Sequence, residues 1–136
     1  MPHVLDASTA LSWAIQQERD ALARTGAVAI LSHGAIVPAI WRWEVQNALL
    51  VAERDGRITS SDIEAALQDL VALPIEIDSI GPSPTFGAEL DIARRMALTL
   101  YDAAYIELAL RRNSKLMTRD RKLGAAADAL KIRWKP

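Results

Sequence analysis

The sequence predicts an α/β fold, a three-layer α/β/α sandwich around a central, mostly parallel sheet of four to five strands. Three observations carry that prediction. Short apolar runs recur at Val4-Leu5, at Ala35-Ile36-Val37, at Ile75 to Ile77 and at Lys115-Leu116-Met117-Thr118. Longer stretches of helical period separate them, and strands joined by helical crossovers run parallel with helices on the sheet faces. Half of the 136 residues are apolar, enough for one sizeable core, so residues 1–136 are expected to form a single domain.

Taken in order, strand one is Val4-Leu5, ended by Asp6. Residues Thr9 to about Gln17 follow as a helix with Leu11, Ala14 and Ile15 on one face. Glu18 to Leu31 continues helically, with a break expected near Gly26. Ser32-His33-Gly34 is a turn, and Ala35-Ile36-Val37 is a buried strand closed by Pro38. The helix from about Ile40 to Asp55 stops at Gly56, a common residue at helix ends. Ser61, with Glu64 three residues later, reads as a capping box opening a helix to about Leu73. That assigns Asp62 and Glu64 to helix-start electrostatics. Pro74 ends the helix, and Ile75, Ile77 and Asp78 make strand three. The loop Gly81-Pro82-Ser83-Pro84 leads to a helix from about Thr85 to Leu98 and another from Asp102 to Arg112. Lys115 to Thr118 is strand four, Arg121 to Leu130 the last helix, and Ile132-Arg133-Trp134 a fifth strand at the edge. No repeat or linker divides the chain.

The composition excludes several chemistries. There is no cysteine, so disulfides, thiolate nucleophiles and cysteine zinc sites are out. That suits a reducing compartment. No basic-then-apolar leader opens the chain and no apolar run is long enough to cross a bilayer, so a cytoplasmic location away from membranes is expected. The net charge of −1 hides an asymmetry: 5 Lys/Arg against 13 Asp/Glu in residues 1–93, and 11 against 4 from Arg94 onward. An acidic site beside a phosphate-binding basic surface has this pattern, as does an unevenly charged solvated face.

Four acids stand in telling places. Asp6 ends strand one, at the sheet edge where open α/β sheets bind ligands. Asp120 follows strand four, and Asp102 begins the helix that leads into it. Glu44 lies on the helix after strand two, on the face holding Trp41, Ala48 and Val51, where a carboxylate needs a partner or a path to water. Helix capping accounts for Asp6, Asp102 or Asp120 taken singly. Together the four converge on one crevice, and like charges at close range make sense around a cation. An all-oxygen set without cysteine favours Mg²⁺, with Mn²⁺ as the alternative, over zinc. The only histidines, His3 and His33, are read as structural or solvent-facing.

The segments around these acids are Val4-Leu5-Asp6-Ala7-Ser8, Val37-Pro38-Ala39 running into Trp41-Arg42-Trp43-Glu44-Val45-Gln46-Asn47-Ala48-Leu49, Leu98-Thr99-Leu100-Tyr101-Asp102-Ala103-Ala104-Tyr105, and Leu116-Met117-Thr118-Arg119-Asp120. In order and spacing they resemble the PIN-domain ribonucleases, and among these the VapC-type toxins of bacterial toxin–antitoxin pairs. The resemblance runs along nearly the whole chain, and none of the four acids departs from the pattern. It implies a Mg²⁺-dependent endoribonuclease checked by a cognate antitoxin bound beside the crevice, and a homodimer. It carries the metal-site acids to Asp6, Glu44, Asp102 and Asp120 and the supporting hydroxyls to Ser8 and Thr118. Asp6 and Asp102 are then the principal ligands. Asp120 holds a second ion or acts through water, and Glu44 ligates or orients the attacking water. Phosphate contacts to RNA are expected from among Arg94, Arg95, Arg119, Arg121 and Lys122, with Arg111, Arg112 and Lys115 in the wider basic set.

Rival readings stay open on the residues alone. A phospho-accepting receiver domain would use Asp78, but strand one of such a domain is followed by an adjacent acidic pair, and Asp6 has Ala7 beside it. A haloacid-dehalogenase-type phosphatase wants a second Asp where Ser8 stands. A catalytically silent binding module of the same fold would not need all four acids.

Overall fold

In the computed structural model, residues 1–79 and 87–136 are described. The expected loop Gly81-Pro82-Ser83-Pro84 and the start of the next helix at Thr85 lie outside them. The strands are β1 (His3–Leu5), β2 (Ala35–Val37), β3 (Ile75–Ile77) and β4 (Leu116–Met117). They form one sheet in the order β3-β2-β1-β4, and every pairing is parallel. The helices are α1 (Ala7–Ala14), α2 (Ala21–His33), α3 (Trp41–Arg54), α4 (Ser60–Val71), α5 (Ala88–Met96), α6 (Leu100–Arg111) and α7 (Arg121–Ala129). The fold is the α/β class expected, with a parallel sheet.

The pairing register decides where the site falls. Val4 pairs with Leu116 and Leu5 with Met117. Asp6 and Thr118 therefore leave the carboxyl ends of adjacent strands side by side, and Asp6 N–H donates to the Met117 carbonyl at 3.2 Å. On its other side β1 pairs with β2. The chain thus departs in opposite directions from β1, which makes this edge the topological switch point where such sheets bind ligands.

Val4, Leu5, Ile36, Val37 and Leu116 are fully buried. Each such side chain contributes roughly 1.5–3 kcal/mol of burial. Helix α1 packs against α2, α3 and α4, while α5 packs against α6, which lies on β1 and β4. Helix α6 is enclosed on most of its surface from Ala103 to Ala109, which fits an apolar helix in a core rather than on its edge. Its one buried acid, Glu107, is neutralised by Arg111 four residues on, with Nε to Oε1 at 2.7 Å.

Several expected boundaries moved. The break after strand one's helix falls between Ile15 and Asp20, occupied by a short turn at Gln16–Glu18, and Gly26 lies inside α2. Asp20 accounts for this: its carboxylate caps α2, accepting from Ala23 N at 2.8 Å. Gly26 is there for space, since a Cβ would stand 3.1 Å from the Met117 sulfur. The helical turn at Ser32-His33 belongs to α2, which ends on Gly34 at φ +77°. The capping box of α4 is Thr59 with Asp62, two residues earlier than Ser61 with Glu64. The expected fifth strand is reduced to one bridge, Arg133 against Leu116. On α3 the buried stripe is Trp41, Val45, Leu49 and Ala52. Glu44 and Ala48 flank that stripe, and Val51 is exposed.

Candidate active site

Asp6 is a buried carboxylate surrounded by donors. Ser8 Oγ donates to its oxygens at 2.8 and 2.9 Å, Thr9 N to Oδ1 at 3.0 Å, and the Thr118 hydroxyl to Oδ2. It caps α1, as the plainest reading of the sequence allowed. The Thr9 cap takes one of its roughly four lone-pair sites and the hydroxyls of Ser8 and Thr118 two more, which leaves one for a second role. Burial pushes its carboxyl upward, and the bonds from Thr118, Thr9 and Ser8 pull against that.

The turn Thr118-Arg119-Asp120 is locked onto the same carboxylate. Asp120 N donates to Thr118 Oγ1 at 3.0 Å, and Arg119 N donates to Ser8 Oγ at 2.9 Å. Asp120 itself caps α7, accepting from Leu123 N at 2.8 Å. Asp102 departs from the capping account. The cap of α6 is Thr99, which accepts from Asp102 N at 3.1 Å, so the Asp102 side chain is not spent on capping. Burial raises the Asp102 carboxyl, and the nearby Asp120 charge raises it further. Thr99 and the Lys122 ammonium act in the opposite direction. The Asp120 and Lys122 charges thus both act on Asp102, in opposite directions.

Glu44 is reached from α6. The Tyr105 hydroxyl donates to Glu44 Oε1, a contact between α3 and α6. Tyr105 is 1% exposed. Burial drives its phenol far above the usual range, and the charges of Glu44, Asp6 and Asp102 add to the shift. Asp6 and Asp120 thus stand at the carboxyl ends of adjacent strands, joined through Thr118, while Glu44 is bonded to Tyr105 on the helix that carries Asp102.

The sequence matches the PIN domain family over residues 3–129. The chain belongs to the PIN-domain family, in its VapC branch. Ribonuclease VapC1 from two strains of Mycobacterium tuberculosis is 35% identical over 113 residues, covering 79% of this chain and 83% of the relative. The crystal structure of PAE2754 from Pyrobaculum aerophilum superposes with a TM-score of 0.68 over 96% of this chain and 92% of that one. At 21% identity that likeness concerns the fold.

Two residues of this PIN-domain chain were not singled out as functional from its sequence. Tyr105 lies three residues after Asp102 on the same helix face, and that spacing was the available signal. Asp20 pairs with Arg119 through both carboxylate oxygens, at 2.9 and 2.7 Å, and nothing local in the sequence announces a contact 99 residues apart. The basic residues divide. Arg119 is engaged by Asp20, Arg95 by Asp91 at 3.1 Å, and Arg111 by Glu107 and Asp78. Lys122, Arg94 and Arg121 are exposed, and the Lys122 ammonium lowers the Asp102 carboxyl. Asp78, the acceptor in the receiver reading, has a side chain only 5% exposed and ion-paired to Arg111 at 2.6 Å. That is unsuited to accepting phosphate from solution.

The donor set of the PIN-domain site suits a hard divalent cation, being oxygen throughout. Among the described residues no three acidic or imidazole side chains form a ready-made cage. Carboxylates that repel one another, as Asp102 and Asp120 do, have no reason to close up without a cation between them.

Proposed function

We propose that this PIN-domain chain is a Mg²⁺-dependent endoribonuclease, with Mn²⁺ able to substitute, and the toxin of a toxin–antitoxin pair. The observation that carries the reading is the strand register that sets Asp6 beside the Thr118-Arg119-Asp120 turn, with Thr118 bonded to both Asp6 and Asp120 N, while Tyr105, on the helix that carries Asp102, bonds Glu44. The ribonuclease name of its VapC relatives supports it. Asp6 and Asp102 are the principal ligands of the ion. Glu44 and Asp120 complete the acidic set, directly or through water. When bound, the ion supplies an activated water and offsets charge building on the phosphate.

The chain's own residues prepare the site. Thr118, Ser8 and Thr9 N–H aim Asp6 and favour its ionised form against burial. The Ser8 hydroxyl is committed to that carboxylate, so it does not serve as a covalent nucleophile. Lys122, with Arg121 and Arg94, contacts RNA phosphates, which gives affinity with little sequence information. Arg119 and Arg95 contribute less, because carboxylates already hold them.

The chain acts as a single domain in the cytoplasm. Among the described residues no helix is long and apolar enough to cross a membrane. A cognate antitoxin covers the crevice, presenting an Arg whose planar fork suits paired carboxylates. The chain is a homodimer, and Trp43, 76% exposed, is an aromatic available to a protein interface.

The test is incubation of a structured RNA with wild type and Asp102→Asn, each in Mg²⁺ and in EDTA. Cleavage by wild type in Mg²⁺ alone is expected. Cleavage that survives both EDTA and the substitution sinks the reading, and so does its absence from every arm.

A further inference from the structure

We infer that Tyr105 is the positioning residue for Glu44: its buried hydroxyl holds the Glu44 carboxylate in the acidic crevice. This rests on the nuclease reading and adds a part to it. The need for such a part is visible on α3. The buried stripe of that helix is Trp41, Val45, Leu49 and Ala52, and Glu44 only flanks it. Among the described residues, α3 itself contributes no hydrogen bond or ion pair to that side chain. A Glu at a stripe edge has three rotatable bonds and a free path to water, and ordering such a chain costs up to about 2 kcal/mol.

Tyr105 supplies what α3 lacks. Its ring is 1% exposed in the middle of α6, so the position of its hydroxyl is set by the core. That hydroxyl donates to Glu44 Oε1 across 61 residues of sequence. The same helix face carries Asp102 one turn earlier, so α6 both contributes one acid and holds another. A phenol is well suited to this place. It donates one proton to a carboxylate without introducing a cation that would compete with the metal for the remaining acids. The plainer account is that a buried phenol needs some acceptor and Glu44 happens to be near. On that account the bond matters for stability alone.

Tyr105→Phe separates the two, because the ring and its packing stay. Three quantities are compared in wild type and variant: kcat and KM for cleavage of one RNA, the Mg²⁺ concentration at half of the metal-induced rise in melting temperature, and each of these again in a Glu44→Ala background. Loss of a residue that orients a metal-site side chain typically costs about 10–100-fold in affinity or activity. The expected result is a fall in kcat of at least about tenfold with KM within about twofold, and a weakened Mg²⁺ response. In Glu44→Ala the Phe substitution should add nothing to either. A variant that melts earlier yet keeps wild-type kcat and Mg²⁺ response overturns the inference and leaves the nuclease reading intact. Equal losses from Tyr105→Phe with and without Glu44 overturn it as well. A wild type that neither cleaves RNA nor responds to Mg²⁺ overturns the nuclease reading and the inference together. If Tyr105→Phe does not fold, Glu44→Asp serves. It keeps the charge but draws it back from the phenol; kcat should fall at least about tenfold with KM within about twofold, and a Glu44→Asp variant with wild-type kcat and Mg²⁺ response overturns the inference.

Discussion

Arg119 closes a two-pronged ion pair on Asp20, Nη1 to Oδ1 at 2.9 Å and Nη2 to Oδ2 at 2.7 Å. The backbone of the same residue donates to Ser8 Oγ, which in turn donates to Asp6. Asp20 also caps α2. One arginine therefore joins the start of α2 to the turn that carries Thr118 and Asp120. A guanidinium fork filled by a carboxylate is not poised for an RNA phosphate, so Arg119 is better understood as a brace for that turn.

The brace has a pH signature. The bond from Arg119, then that from Ala23 N, holds the Asp20 carboxyl down from 3.8 to about 2. A folded value below the unfolded one gives stability that is present above about pH 4 and lost as the pH falls toward 2. Asp128 and Asp62 are lowered too, Asp128 by Arg133 and Asp62 by Thr59, so they also favour the folded state above the usual carboxylate range. Asp20→Asn should therefore flatten part of the acid limb, not all of it. Urea midpoints at pH 5, 4 and 3 measure this. Parallel wild-type and variant curves over that range would show that the pair contributes nothing to acid stability.

Arg111 is a structural cation. It serves Glu107 and Asp78, whose side chains are 10% and 5% exposed. Removing one partner of a buried ion pair costs about 3–5 kcal/mol, and the quarter exposure of Arg111 points to the lower end. Arg111→Met should lose about 3 kcal/mol by urea denaturation while leaving the salt dependence of RNA binding unchanged. A shallower salt slope with intact stability would return Arg111 to the RNA-binding set.

Thr118 joins two acids through one hydroxyl, donating to Asp6 and accepting from Asp120 N. Thr118→Val keeps the shape and removes both bonds, leaving a buried carboxylate short of a donor and an N–H short of an acceptor. The expected loss is about 1–3 kcal/mol, with Thr118→Ser closer to wild type. Val and Ser variants of equal stability would show that the hydroxyl does not support the site.

What the sequence made legible follows from how local each signal is. The four strands lie within a residue or two of their expected positions because apolar runs end on Asp6, Pro38, Asp78 and the Thr118-Arg119-Asp120 turn. Helix starts were harder. Thr59, Ser60 and Ser61 are three hydroxyl residues in a row, and the packing of Ile58 and Ala66 helps select among them, which no local rule reads. Helix capping was the plain alternative account of Asp102, read here as a metal ligand, and the cap of α6 is Thr99 instead. Asp6 and Asp120 have legible positions because the ends of strands one and four are visible in sequence. The contacts Tyr105–Glu44 and Arg119–Asp20 were not legible, because each bridges elements far apart in the chain.

The last prediction concerns Asp6, on which the metal reading turns. Burial raises its carboxyl, so in the absence of metal the ionised form is held at a cost. Asp6→Asn removes the charge and keeps the shape. Its oxygen still accepts from Thr9 N, and Asn caps a helix about as well as Asp. The Thr118 hydroxyl must then turn to accept from the new amide, which takes back part of the gain. The variant should melt somewhat higher than wild type in EDTA and should not cleave RNA. Mg²⁺ separates a ligand from a mere cap. A ligand that binds only the folded state stabilises it by about 1.4 kcal/mol at roughly ten times its dissociation constant. Wild type should gain about that much, and Asp6→Asn far less. Four melting curves, two proteins each in EDTA and in excess Mg²⁺, run beside a cleavage assay, measure both effects. Equal Mg²⁺ responses with retained cleavage would reduce Asp6 to a cap and remove the centre around which Asp102, Asp120 and Glu44 are read as ligands.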